Sequence, residues 1–279
     1  MWFWTGLLLF GCSAPDSEDR DQGLVPGGQD TDESEDTGTA PDTEGEDTGA
    51  APDTDGEDSD SPATGSGGSG GPTGTGSASV GTVGYAYHVP ACVSPEVPVP
   101  VVFTQHGAGG TGASMVAQWA PLADAQCFIV IGQGSESGNG WNFNGDVTGL
   151  SALIDEVDAL WNVDVERRIL HGYSAGAHWG YVIGMANSDV FGGLIVYAGA
   201  MSYAESYGVW PDGTQGSIPV AIGHGTEDAV VPYAYAQQAQ SKLDAAGWPV
   251  ELWTVDGGSH AYDPAHQQAA WSFLMGNVD

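Results

Sequence analysis

Basic residues are nearly missing from this chain: four Lys and Arg stand against 37 Asp and Glu in 279 residues, a formal net charge of −33. A surface this poor in cations has no electrostatic footprint for nucleic acid, whose phosphates dominate binding, and it disfavours polyanionic substrates. Cysteine is scarce too, with three in the chain, which excludes a disulfide-dense scaffold. Without histidines at ligand spacing the cysteines do not read as a zinc site either, and no metal is expected. Long apolar runs are absent. The first of note, Trp2 to Phe10, is far too short for a bilayer-spanning helix, which needs about 20 residues.

What stands at the start reads as a targeting segment, residues 1–12. Leu9-Phe10-Gly11-Cys12 resembles the lipobox of bacterial lipoproteins, with Cys12 as the lipidated residue, although no base precedes the apolar run. An ordinary secretory signal is the other reading. Both place the protein outside the cytoplasm, with membrane contact only through a lipid on Cys12. Residues 13–79 follow, holding 18 acidic residues, one base (Arg20) and almost no aliphatic or aromatic side chains. Such a stretch cannot bury enough apolar surface to offset its chain entropy and is expected to be a disordered, self-repelling spacer. Thr37 to Asp47 recurs with small changes as Thr48 to Asp58. The Ser/Gly-rich end, Thr64 to Ser79, reads as flexible linker.

Residues 80–279 carry 19 acids against three bases (Arg167, Arg168, Lys242) and are about the size of one α/β domain. Strand-like runs cover Val80 to His88, Val99 to Gln105, Phe128 to Gly132, 167–172, Leu194 to Tyr197, Pro219 to Gly223 and Val250 to Val255. Helical patterns fall between them at Ala113 to Ala125, Val147 to Trp161, Ala177 to Asn187, Tyr233 to Ala246 and Pro264 to Met275. This alternation predicts a mostly parallel sheet with helices on both faces and a site at the C-terminal strand ends. Between Ala198 and Ser217 lies an aperiodic excursion with Tyr203, Tyr207 and Trp210, too short for a large lid. Cys92 and Cys127, each beside a predicted strand, read as one disulfide in an oxidising compartment or as two buried thiols.

Three strand ends carry the residue types of nucleophilic catalysis. Gly172-Tyr173-Ser174-Ala175-Gly176 sits between a strand and a helix, where two glycines let the backbone turn sharply and present the Ser174 hydroxyl. After strand 219–223, Glu227 and Asp228 offer carboxylates that could orient an imidazole or cap the next helix. After strand 250–255, His260 lies in a Gly-rich loop. Among seven histidines it alone combines the right order with a strand-end loop. A fourth strand end, His106-Gly107-Ala108-Gly109-Gly110, can supply an oxyanion donor from the Ala108 amide, with Gly109 in reserve, to pair with the Ala175 amide. His106 is expected to brace that loop.

These motifs, with Gly140-Trp141-Asn142-Phe143, Asp155-Glu156-Val157 and Asn162 to Arg168, resemble the secreted polyhydroxybutyrate depolymerase and feruloyl or acetylxylan esterase group of α/β-hydrolases. The resemblance implies an α/β-hydrolase fold with a Ser174, Asp228 and His260 triad, Asp228 rather than Glu227 being the acid. It implies that the loop holding Trp141 borders the acyl pocket, and Tyr173, next to Ser174, is a second candidate for substrate binding. It also implies hydrolysis of an ester substrate, polymeric or small, without metal or organic cofactor. A non-catalytic carbohydrate- or polymer-binding module on the same fold is a second class, and a peptidase or thioesterase would use the same three residues.

Overall fold

The computed structural model describes residues 63–278 apart from 139, 143, 144 and 215. Residues 1–12, including Cys12, and the acidic stretch up to residue 62 lie outside the described residues, as does Phe143. Strands β1 (Gly74–Val80) and β2 (Val83–Val89) form an antiparallel hairpin, and β2 also pairs antiparallel with β4 (Ile129–Gln133). The remaining strands, β3 (Val99–Gln105), β5 (Val163–Tyr173), β6 (Gly193–Tyr197), β7 (Val220–Gly225) and β8 (Val250–Val255), extend the sheet in parallel from β4. The order is β1-β2-β4-β3-β5-β6-β7-β8.

The parallel strands are apolar on both sides because both faces are covered. Alternate residues divide between two cores, as the two-residue period of a strand requires. Val101, Phe103, Ile131, Leu170 and Val196 pack with α2 (Gly145–Leu160), α3 (Ala175–Ala186) and α5 (Ala234–Ala245). Val102, Val130, Ile169, Ile195 and Ala221 pack with α1 (Gly112–Gln126) and α6 (Pro264–Met275). Helix α1 opens on a capping box between Thr111 and Ser114, and Asp263 caps α6 through the Ala265 amide. The excursion after β6 contains two short helical turns, α4 (Ser202–Ser206) and a 3-10 turn at Pro211–Gly213. Among the described residues no helix is long and apolar enough to cross a membrane.

Cys92 and Cys127 form a disulfide, so the free-thiol reading falls; the bridge ties the β2–β3 connection to the end of α1. One boundary is corrected. The spacer and linker reading of 13–79 fails for its described end, because β1 pairs with β2 from Gly74↔Val89 to Val80↔Val83. Upstream of β1, the Ser66 amide donates to the Val163 carbonyl (2.8 Å) and Ser66 Oγ accepts from the Val163 amide (2.9 Å). Gly67 N–H donates to Asn162 Oδ1, and the Trp161 indole donates to the Pro72 carbonyl. The reason is physical: this segment docks through backbone groups and glycine surfaces, which leave no apolar pattern in the sequence.

Candidate active site

At the C-terminal end of β5 the chain turns into α3 at Ser174, whose φ of 53° and ψ of −116° place a non-glycine residue in a strained conformation costing about 1–3 kcal/mol. Gly172 and Gly176 do not themselves have positive φ. They are glycines because of close approach: a Cβ on Gly172 would lie 2.2 Å from the Gly176 carbonyl oxygen, and one on Gly176 would lie 2.2 Å from that of Gln105. The two glycines thus let the backbone turn sharply through their missing side chains, not through positive φ. The strained residue is the serine, held by its amide donating to the Tyr197 carbonyl at 2.9 Å.

Ser174 Oγ lies 2.9 Å from His260 Nε2, and His260 Nδ1 lies 2.7 Å from Asp228 Oδ2. Since a carboxylate only accepts, Nδ1 carries the proton toward Asp228 and Nε2 is left to accept from the serine hydroxyl. The Asp228 side chain is fully buried. Burial pushes its pKa up, but the hydrogen bond from His260 and those from the Val231 and Val230 amides (2.8 Å each) outweigh it and hold the carboxyl below its ordinary value. Glu227 is exposed and has no part in these contacts. Tyr173 stacks on the His260 ring at 5.6 Å, and its hydroxyl donates to the His260 carbonyl at 3.3 Å.

His224, which sequence reasoning did not single out, is buried behind the acid. Its Nε2–H donates to the Val231 carbonyl at 2.7 Å and lies 3.2 Å from Asp228 Oδ2. Burial lowers its pKa, against the opposing pull of the Val231 carbonyl and Asp228. The only sequence signal was its place at the end of a strand, in His224-Gly225-Thr226-Glu227-Asp228.

The loop after β3 meets the nucleophile through Gly107, where a Cβ would sit 3.2 Å from Ser174 Cβ. Ala108 follows and is exposed, and Ala175 opens α3, where the first amides have no intrahelical acceptor. His106 braces this loop as expected: Nδ1–H donates to the Gly107 carbonyl at 2.8 Å. Beside Ser174 opens a cleft of about 640 Å³. Its lining includes His178, Ala200 and Tyr203 as well as Val230, Pro232 and Tyr235. Trp141 and Tyr173 do not line this cleft. Of the three expected rim aromatics, Tyr203 does, Tyr207 packs against Tyr203, and Trp210 lies under Lys242. Tyr235 and Val230 were missed, because they reach the cleft from a different loop and helix and show no local pattern.

Residues 141–277 match the model of the phospholipase/carboxylesterase family. Over 118 residues the chain is 29% identical to a bifunctional acetylxylan esterase/xylanase of Neocallimastix patriciarum, covering 41% of this chain and 17% of that protein. Over 126 residues it is 31% identical to poly(3-hydroxyalkanoate) depolymerase C of Paucimonas lemoignei, covering 40% and 30%. The chain thus aligns with less than a third of the length of either relative. Among solved structures, an acetyl xylan esterase from Aspergillus awamori superposes with TM-score 0.62 at 17% identity, covering 72% of this chain and 98% of that one. The chain has the α/β-hydrolase fold. A ferulic acid esterase from Anaeromyces mucronatus shares this fold at TM-score 0.57 and 16% identity, covering 74% and 90%. In this α/β-hydrolase fold the chain presents a hydroxyl, an imidazole and a carboxylate from three strand ends in hydrogen-bonded series. That arrangement can deprotonate the hydroxyl as it attacks a carbonyl.

Proposed function

We propose that this chain is a serine esterase. The observation that carries the reading is the Ser174–His260–Asp228 series, with 2.9 and 2.7 Å links, opening beside a cleft. Ser174 attacks the ester carbonyl while His260 accepts its proton and returns it to the leaving alcohol; Asp228 holds the tautomer and offsets the imidazolium charge. The Ala175 and Ala108 amides receive the oxyanion. Water, activated by His260, releases the acid and restores the serine.

Short neutral acyl esters and esters of aryl or carbohydrate groups fit best. The cleft is open, lined by the apolar Val230, Val231 and Pro232, and Tyr203 and Tyr235 offer ring contact. Nineteen acids against three bases over residues 80–279 disfavour anionic substrates. The names of the two relatives, an acetylxylan esterase and a polyhydroxyalkanoate depolymerase, support the same class, and export with Cys12 as lipid anchor accords with action on extracellular material. The test is turnover of p-nitrophenyl acetate, butyrate and palmitate and of a methyl feruloyl ester. Ser174→Ala is expected to lower kcat by at least ~10³ with an unchanged fold. Equal rates for the two proteins would sink the reading, and a preference for palmitate would sink the substrate class.

A further inference from the structure

Trp141 was expected to touch substrate, yet its contacts run elsewhere. Its indole N–H donates to the His106 carbonyl at 2.8 Å, and its ring lies 4.8 Å from the His106 imidazole at 42°. His106 is buried at the start of the loop that bears the Ala108 amide. We propose that Trp141 is a positioning residue that aims the oxyanion-binding amide of Ala108 by fixing the two peptide planes before it.

The backbone links Trp141 to Ala108 through two peptide planes. A trans peptide is planar, so its C=O and N–H point in opposite directions, and fixing one fixes the other. The His106–Gly107 plane is held by the Trp141 N–H on the His106 carbonyl. The next plane, Gly107–Ala108, is held by its carbonyl, which accepts from His106 Nδ1–H at 2.8 Å and from the Gly110 amide at 2.9 Å. The Ala108 N–H is therefore directed opposite to that carbonyl. Both planes depend on His106, its carbonyl through one and its ring through the other, and Trp141 touches both parts of it.

Trp141 is itself anchored. Buried Asp146, on the first turn of α2, accepts from the Asn142 amide at 2.6 Å through one carboxylate oxygen and from the Glu136 amide at 2.8 Å through the other. Hydrogen bonds to a carboxylate are roughly twice as strong as neutral ones, and two of them staple this loop at both ends of its described turn. A second link runs from the Asp146 carbonyl to Gln133 Nε2 at 2.8 Å, at the end of β4 beside β3. Asp146 therefore sets the loop, the loop sets Trp141, and Trp141 sets His106.

This inference rests on the esterase reading, and the experiment separates the two. Trp141→Phe keeps a ring against His106 and removes the N–H. With p-nitrophenyl acetate its kcat is expected to fall about 10- to 100-fold, as befits a donor misaimed rather than deleted, with KM within about twofold. Amide hydrogen exchange across residues 105–111 is expected to rise at an unchanged melting temperature. Asp146→Asn is expected to shift both readouts the same way, and it decides the matter if Trp141→Phe does not fold. A several-fold rise in KM at native kcat would make Trp141 a substrate wall and overturn the proposal; native kinetics with native exchange would overturn it too. If the unmodified protein turns over no ester, the esterase reading falls, and the exchange measurement alone decides whether Trp141 holds the loop.

Discussion

Deleting the segment before β2 is the sharpest test of where the folded body starts. A chain beginning at Ser79 loses Ser66, whose hydroxyl bridges the Val163 amide and the Trp161 carbonyl, and most of β1. It also loses the cover that Gly71 and Pro72 give to Trp161, a ring only 4% exposed, and the β1 side of Tyr87. The hydrogen bonds can be remade to water, but uncovering Trp161 and part of Tyr87 costs about 2–4 kcal/mol. For a body of this size each kcal/mol moves the melting temperature by about 2–4 °C, so a drop of roughly 5–15 °C is expected relative to a chain beginning at Ser61. Differential scanning calorimetry, with tryptophan fluorescence to follow Trp161, measures it. A point variant gives the same test without changing chain length: a Cβ on Gly71 would sit 2.4 Å from the Trp161 indole nitrogen, so Gly71→Ala should lower the melting temperature in the full chain. Melting of the shortened chain within about 2 °C of the longer one would refute the docking argument, since no loss of cover would then be detectable.

Two further outcomes follow from the titrating groups. Asp228→Asn is expected to lower kcat by about 10³–10⁴ because it disfavours the Nδ1–H tautomer of His260, whereas Glu227→Gln, on an exposed side chain, leaves kcat unchanged; the ester assay compares them directly. Burial drives the His266 pKa down to about 4, opposed by Asp263, so the unfolded chain binds the extra proton between the two values. Its contribution is full above pH ~6.5 and is lost as pH falls toward ~4, about 3 kcal/mol in all. His266→Gln should flatten the denaturant stability curve over that window, and an unchanged slope would refute the assignment.

The three strand ends were legible because each follows a β-branched or apolar run and carries a reactive side chain before the next helix. Asp228, His260 and Ser174 could be placed from that order, and the cover on both faces of the sheet followed from the alternation of strands with helices along the chain. Strand β1 was not legible. Its residues, Gly74-Thr75-Gly76-Ser77-Ala78-Ser79-Val80, bury little, and what holds them is a backbone ladder to β2 that any sequence without proline can make. The cleft walls were hidden for another reason. Tyr203 and Tyr235 stand on elements far apart in sequence, and only the β6–β7–β8 crossovers bring them to one opening. Trp141 was legible as a residue of the site's edge, but its N–H on the His106 carbonyl, 35 residues away in sequence, was not.

The glycines around Ser174 tie these observations together. If they served flexibility, the turn would use their positive φ; instead the serine takes φ 53° and the glycines give up side-chain volume. Gly176 lies where a Cβ would be 2.2 Å from the Gln105 carbonyl oxygen and 2.8 Å from that of His106. The first turn of α3 therefore rests directly on the end of β3, backbone on backbone. That contact sets the spacing between the Ala175 amide, which opens α3, and the Gly107–Ala108 peptide, which follows His106. The His106 carbonyl is pressed by Gly176 on one side and bonded by Trp141 on another, so the contact that requires glycine and the hydrogen bond that requires tryptophan act on one atom. A glycine in the serine motif and a tryptophan 35 residues after His106 thus bear on the same carbonyl, at the start of the loop that carries the Ala108 amide.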